Sequence, residues 1–193
     1  MGMLIHPFAA MLLACLLVAP AVAHAQSAAA FKVLATNRTA TMEKEMNEAA
    51  SLGLRFGAVM GGETAVGGKE VVVVMKRPET AGAAFQYRLL ATSKTSTMKR
   101  ELQDAADAGY AYVGQTVFES LFGGKEVVCI LERQEGMRGD SGWEYDLLAT
   151  SKTSTMDKEL IAAAAKGYEL VGLTVGQTAF GGNELVTILR RKR

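Results

Sequence analysis

One pattern recurs three times along this chain, and it constrains the fold more than any other feature. Leu34-Ala35-Thr36 returns as Leu90-Ala91-Thr92 and again as Leu148-Ala149-Thr150, at offsets of 56 and 58 residues. Gly67-Gly68-Lys69-Glu70 returns as Gly123-Gly124-Lys125-Glu126 and Gly181-Gly182-Asn183-Glu184 at the same two offsets. Each unit therefore aligns on the next without an internal gap, and the two extra residues fall between the second and the third. Self-similarity at a fixed spacing marks tandem copies of one supersecondary unit. The units span 26–77, 85–133 and 143–193. The segment 78–84, with Pro, Gly and Ala, and the Gly-rich polar segment 134–142 link them.

Each unit reads as βαββ. It opens on a period-2 strand, clearest as Trp143-Glu144-Tyr145-Asp146-Leu147, with Phe85, Tyr87, Leu89 and Phe31, Val33 as counterparts. A Ser/Thr-rich turn follows, at 36–41, 92–97 and 150–155. A helical stripe comes next: Met156, Leu160, Ala163, Ala164, matched by Met98, Leu102, Ala105, Ala106 and by Met42, Met46, Ala49, Ala50. Gly53, Gly109 and Gly167 stand where a left-handed residue ends a helix. A second strand begins at once, as in Tyr168 to Gly172. The third strand (Val71 to Met75, Val127 to Leu131, Leu185 to Leu189) is apolar at nearly every position, which predicts a central strand covered on both faces. The expected fold class is α+β, with three tandem βαββ repeats, mainly antiparallel sheet and one helix per repeat. Pseudo-threefold packing with the helices outside is the expected arrangement.

The third unit resembles the small bacterial domain-of-unknown-function family 4177, through Trp143-Glu144-Tyr145, Gly167-Tyr168-Glu169-Leu170-Val171 and the closing Arg190-Arg191. That family's pattern is an aromatic-Glu-Tyr strand, a helix, a Gly-aromatic-Glu-Leu-Val strand and a final strand ending in basic residues. The resemblance covers each unit separately. It implies the βαββ fold and no activity.

The N-terminus reads as an export signal. An apolar run from Phe8 to Val22, broken by Pro20, leads to Ala23-His24-Ala25, a small-x-small cleavage pattern before the polar Gln26-Ser27. The run is short of the 20 or so apolar residues that cross a bilayer. A rival site, Leu12-Leu13-Ala14-Cys15, has the form of a lipoprotein box, but the apolar run continues past Cys15. The expectation is cleavage after Ala25 and a periplasmic or secreted protein with no later membrane span. The remaining chain, about 168 residues, is long enough to bury a core without covalent staples.

Cleavage there removes both histidines and Cys15, leaving Cys129 as the one cysteine. Histidine-based triads, Cys–His pairs and His-ligated metal sites then have no residues to form from. Cys129 lies in the apolar run Val127-Val128-Cys129-Ile130 and reads as a buried small hydrophobe. With a net charge of +1, no strong field directs the chain to nucleic acid. The Gly-Gly-Lys-Glu motifs read as turns, because phosphate-loop spacing and a following helix are both missing. Glu70, Glu126 and Glu184 read as edge charges or as a carboxylate cluster. Arg138-Gly139-Asp140 is set aside as a three-residue chance match, and the Arg190 to Arg193 run reads as a solvated strand end.

The turns carry the candidate site: Arg38 in the first unit, Thr92, Lys94, Thr95 and Thr97 in the second, Thr150, Lys152, Thr153 and Thr155 in the third. Glu45, Glu101 and Glu159 are placed in the first helical turn. Hydroxyls, backbone N–H groups and a cation at a helix start suit either a helix cap or an anion or sugar site. The sequence thus points to an exported, non-enzymatic module with no cofactor. It interacts with an unknown protein through an exposed apolar or edge-strand patch, or binds a small ligand or anion at these turns.

Overall fold

The structure is a computed structural model of the chain; it describes residues 30–64, 68–80, 82–92, 94–119, 125–177 and 183–193. The export signal and the glycines at 67, 123–124 and 181–182 lie outside the described residues.

The three units are built alike. The first comprises β1 (Phe31–Thr36), α1 (Thr39–Ser51), β2 (Arg55–Thr64) and β3 (Gly68–Lys76). The second comprises β4 (Phe85–Thr92), α2 (Thr95–Asp107), β5 (Ala111–Glu119) and β6 (Lys125–Gln134). The third comprises β7 (Trp143–Thr150), α3 (Thr153–Ala164), β8 (Glu169–Gln177) and β9 (Asn183–Lys192). Each unit forms its own three-stranded antiparallel sheet, with strand order β1-β3-β2, β4-β6-β5 and β7-β9-β8. The third strand is central in every sheet, as its unbroken apolar run requires. The helix carries the chain from one edge to the other, leaving the middle position for the third strand.

The helix stop is the same each time. Gly53, Gly109 and Gly167 take φ of 80°, 89° and 82°, a region open chiefly to glycine. The following residue then donates back to the helix: Leu54 N to Ala49 O, Tyr110 N to Ala105 O and Tyr168 N to Ala163 O, at 2.9–3.2 Å. The second strand of every unit also bulges, at 56–58, 112–114 and 170–172.

The units stack in order instead of closing around a threefold axis, and the first two helices lie between sheets instead of outside them. Met42, Met46, Ala49 and Ala50 of α1 share one core with Val71, Val73 and Met75 of their own sheet and with Tyr87, Val128 and Ile130 of the next. Met98, Leu102, Ala105 and Ala106 of α2 do the same with Cys129 and Leu131 beneath and Tyr145 and Ile188 above. A closed ring would require α3 to pack on β1 as α1 packs on β4. Among the described residues no such packing joins the first unit to the third. Sharing α1 and α2 each between two sheets explains β6, buried at every position from Val127 to Leu131: one face serves the core before it, the other the core after it.

Candidate functional site

The turn begins where the first strand of each unit ends on threonine. Thr36, Thr92 and Thr150 each turn a hydroxyl back to accept from the backbone N–H two residues on, that of Arg38, Lys94 and Lys152, at 3.2–3.3 Å. This is a local hydroxyl turn that competes with helix capping. The residue before each helix is therefore the cation, in extended backbone, with no side-chain cap bond. The hydroxyls do not cap the helices as the sequence suggested. Because the helices start at Thr39, Thr95 and Thr153, Glu45, Glu101 and Glu159 fall in the second turn, away from the positive dipole end.

The candidate residues differ sharply in access. Thr92 is buried; Thr95, Thr97, Thr150 and Thr155 are half-buried; Arg38, Lys94, Lys152 and Thr153 face solvent. The start of α2 already holds an acceptor of the protein's own, since Thr95 Oγ1 donates to Glu184 Oε1 at 2.9 Å. Among the described residues no hydrogen bond or ion pair joins the turn at 92–97 to that at 150–155. Lys94→Ala and Lys152→Ala should leave the melting temperature within about a degree of the parent, because exposed side chains without partners stabilise little. Thermal denaturation of the double variant checks this.

Other readings resolve more simply. Among the described residues no three His, Cys, Asp or Glu side chains are placed to hold a metal ion. Glu70, Glu126 and Glu184 belong to central strands, so they do not guard sheet edges. Asp140 accepts from Gly142 N and pairs with Arg193, which gives it a structural task within 134–142. A cleft of about 180 Å³ between α3 and β7, lined by Asp146, Glu159, Lys166 and Tyr168, is smaller than the roughly 300 Å³ at which ligand pockets begin.

Cys129 is fully buried, and burial, with a smaller contribution from Glu101, pushes its thiol up to about 12. It should resist iodoacetamide in the folded protein and react on denaturation, as mass spectrometry would show. An unfolded thiol ionises near 9. Above that pH the unfolded state holds fewer protons than the folded one, so stability falls as pH climbs toward 12. Burial also raises the pKa of Tyr87 and Tyr112, which adds to the same alkaline loss.

The strand-end arginines have a role that residue order alone did not disclose. Arg77, Arg133 and Arg191 each donate to a carbonyl at the C-terminal end of their own unit's helix, those of Leu52, Ala108 and Lys166, at 2.9–3.4 Å. Cations there complement the helix dipole. Arg133 and Arg191 also stack on Tyr110 and Tyr168, each 4.6 Å from the ring centre. Arg190 pairs with Glu169 and Arg193 with Asp107, so the C-terminal run is engaged and not merely solvated.

What remains without a structural task is apolar surface at the two ends of the stack. The outer face of the first sheet presents Phe31, Val33 and Met60, each more than half exposed, beside half-buried Val72 and Val74. At the far end Ile161 of α3 and Leu170 and Leu173 of β8 are equally open. The sheet residues are equivalent by repeat position to core residues elsewhere: Phe31 to Tyr87 and Tyr145, both 2% exposed, and Val72 and Val74 to Val128 and Ile130, both 0%. No known family matches the chain, and no curated protein or solved structure matches it either.

Proposed function

We propose that this is an exported, non-enzymatic interaction or structural module of the cell envelope, working through the open ends of its stack. The observation that carries the reading is the outer face of the first sheet. It keeps the apolar residues that its repeats bury, yet nothing among the described residues covers it. Contiguous exposed apolar surface of this kind marks a contact site. The export pattern from Met1 to Ala25 supports placement in the periplasm or outside the cell. No described helix is long and apolar enough to cross a membrane.

A photo-crosslinking amino acid placed at Val33 or Ile161, in the native host, is the test. Crosslinks to a macromolecule from both positions, and none from Glu135 in the second linker, are expected. Clean backgrounds at both positions would overturn the reading.

A second reading rests on the uncapped helix starts beside exposed Lys94 and Lys152. First-turn N–H groups and a cation suit an anion. It requires phosphate to bind the parent protein and not the Lys94→Ala, Lys152→Ala double variant, by calorimetry. Equal binding, or none, removes it.

A further inference from the structure

We infer that the partner of each open end is the other end of a second copy of this chain, so that the stack continues head to tail between molecules. This rests on the interaction reading above and names its partner. The internal junction occurs twice, and its knob and socket, its charged pairs and its helix-to-strand position all have counterparts at the free ends.

The first such position is a knob and its socket. At the bulge of the second strand, Phe56 packs on Gly114 of the next unit, where an added Cβ would meet Phe56 Cζ at 2.8 Å. Tyr112 packs in the same way on Gly172, with its hydroxyl 2.6 Å from an added Cβ. The repeat spacing makes Leu170 the third knob and Ala58 the third socket. Both are exposed, and their sizes compensate: a knob smaller than an aromatic ring faces a socket shallower than glycine.

Charge follows the same register. Arg55 on β2 pairs with Glu132 on β6 across the first junction, and Lys99 on α2 pairs with Asp146 on β7 at 2.6 Å across the second. The corresponding free-end positions are Glu169, which also pairs with Arg190 of its own sheet, with Lys76, and Asp157 with Lys32. Both pairs are of opposite sign, and both are reversed in polarity relative to the internal pair they replace. A reversal on one side matched by a reversal on the other is what a surface and its own partner require.

The helix-to-strand contact changes character in step. Internally, Asn47 of α1 both donates to and accepts from the backbone of Tyr87, and Gln103 of α2 accepts from Tyr145 N while donating to Trp143 O. At the free ends the amide becomes Ile161 and the tyrosine becomes Phe31, so the two side chains that would meet are apolar, while the strand's backbone groups stay polar and lose the amide that bonds them internally. Different patches meet in such a contact, so it is heterologous and yields a ring or a filament according to whether the rotation closes.

Sedimentation velocity on the full chain tests this. The parent should form species that grow with concentration, or one closed ring. Val33→Asp blocks one end and Ile161→Asp the other, and both sites are exposed enough for the monomer to fold. Each variant alone should be monomeric, and an equimolar mixture should give a dimer and nothing larger. Lys32→Glu and Asp157→Lys should each weaken assembly, and together in one chain restore it. A parent that stays monomeric up to its solubility limit overturns the inference, as does a variant mixture that fails to pair. The interaction reading then stands or falls separately: Val33 and Ile161 crosslinks to a different protein would retain it, and no crosslinks would not.

Discussion

Replacing Tyr145 by alanine is expected to lower the melting temperature by roughly 10 °C or more, from a loss of about 4 kcal/mol. Tyr145 is 2% exposed and belongs to the third unit, yet its ring lies in the core built on α2 of the second. Its hydroxyl accepts from Tyr112 N at 2.8 Å, at the bulge in β5. The truncation therefore empties part of a core and leaves a buried N–H without its acceptor, two costs that act together. Tyr87→Ala should behave alike, since its hydroxyl accepts from Phe56 N across the other junction. In the monomeric Ile161→Asp background, Phe31→Ala, at the equivalent position of the first unit, should cost no more than about 0.5 kcal/mol, because Phe31 is 65% exposed in the single chain. The three residues occupy one repeat position, and only the presence of a preceding unit separates them. Equal losses at all three would mean that the units do not stack in this order.

The second large effect is expected from adjacent glycines. A Cβ on Gly61 would lie 2.1 Å from the carbonyl oxygen of Val117, a backbone atom of β5 in the next unit that no rotamer change can move. Gly61→Ala should therefore force the first junction apart and cost about 1–3 kcal/mol, as overpacking does. At Gly62 the nearest atom to an added Cβ is the end of the Met60 side chain, at 3.7 Å. Gly62→Ala should be neutral or slightly stabilising, because alanine gives up less conformational freedom on folding. Chemical denaturation of the pair measures the difference, and a similar midpoint for both would contradict the close approach of β2 to β5.

Much of the fold could be read from residue order, for an identifiable reason. Gapless repeats let three weak patterns reinforce one another, so the helical stripe, the glycine stop and the apolar third strand are each seen three times. The order of stacking could not be read in this way. Phe31, Tyr87 and Tyr145 look like one inward-facing position, and nothing local distinguishes the copy that lacks a neighbour from the two that have one. The turns misled for a related reason: a run of hydroxyls offers several capping residues, and Thr92 bonds within its own turn, leaving Lys94 to precede the helix. The arginines at the strand ends acquire their role from a helix terminus about 25 residues away in sequence and adjacent in space. The candidate surface itself becomes visible only by comparing burial between equivalent positions.

Native mass spectrometry of the protein taken from its host's envelope fraction separates end-to-end assembly from ligand binding. Assemblies held through the end faces are expected, dissociated by Val33→Asp or Ile161→Asp, with no small molecule retained. A monomer that carries a bound small molecule or anion, released by Lys94→Ala and Lys152→Ala but not by the end-face variants, would contradict end-to-end assembly.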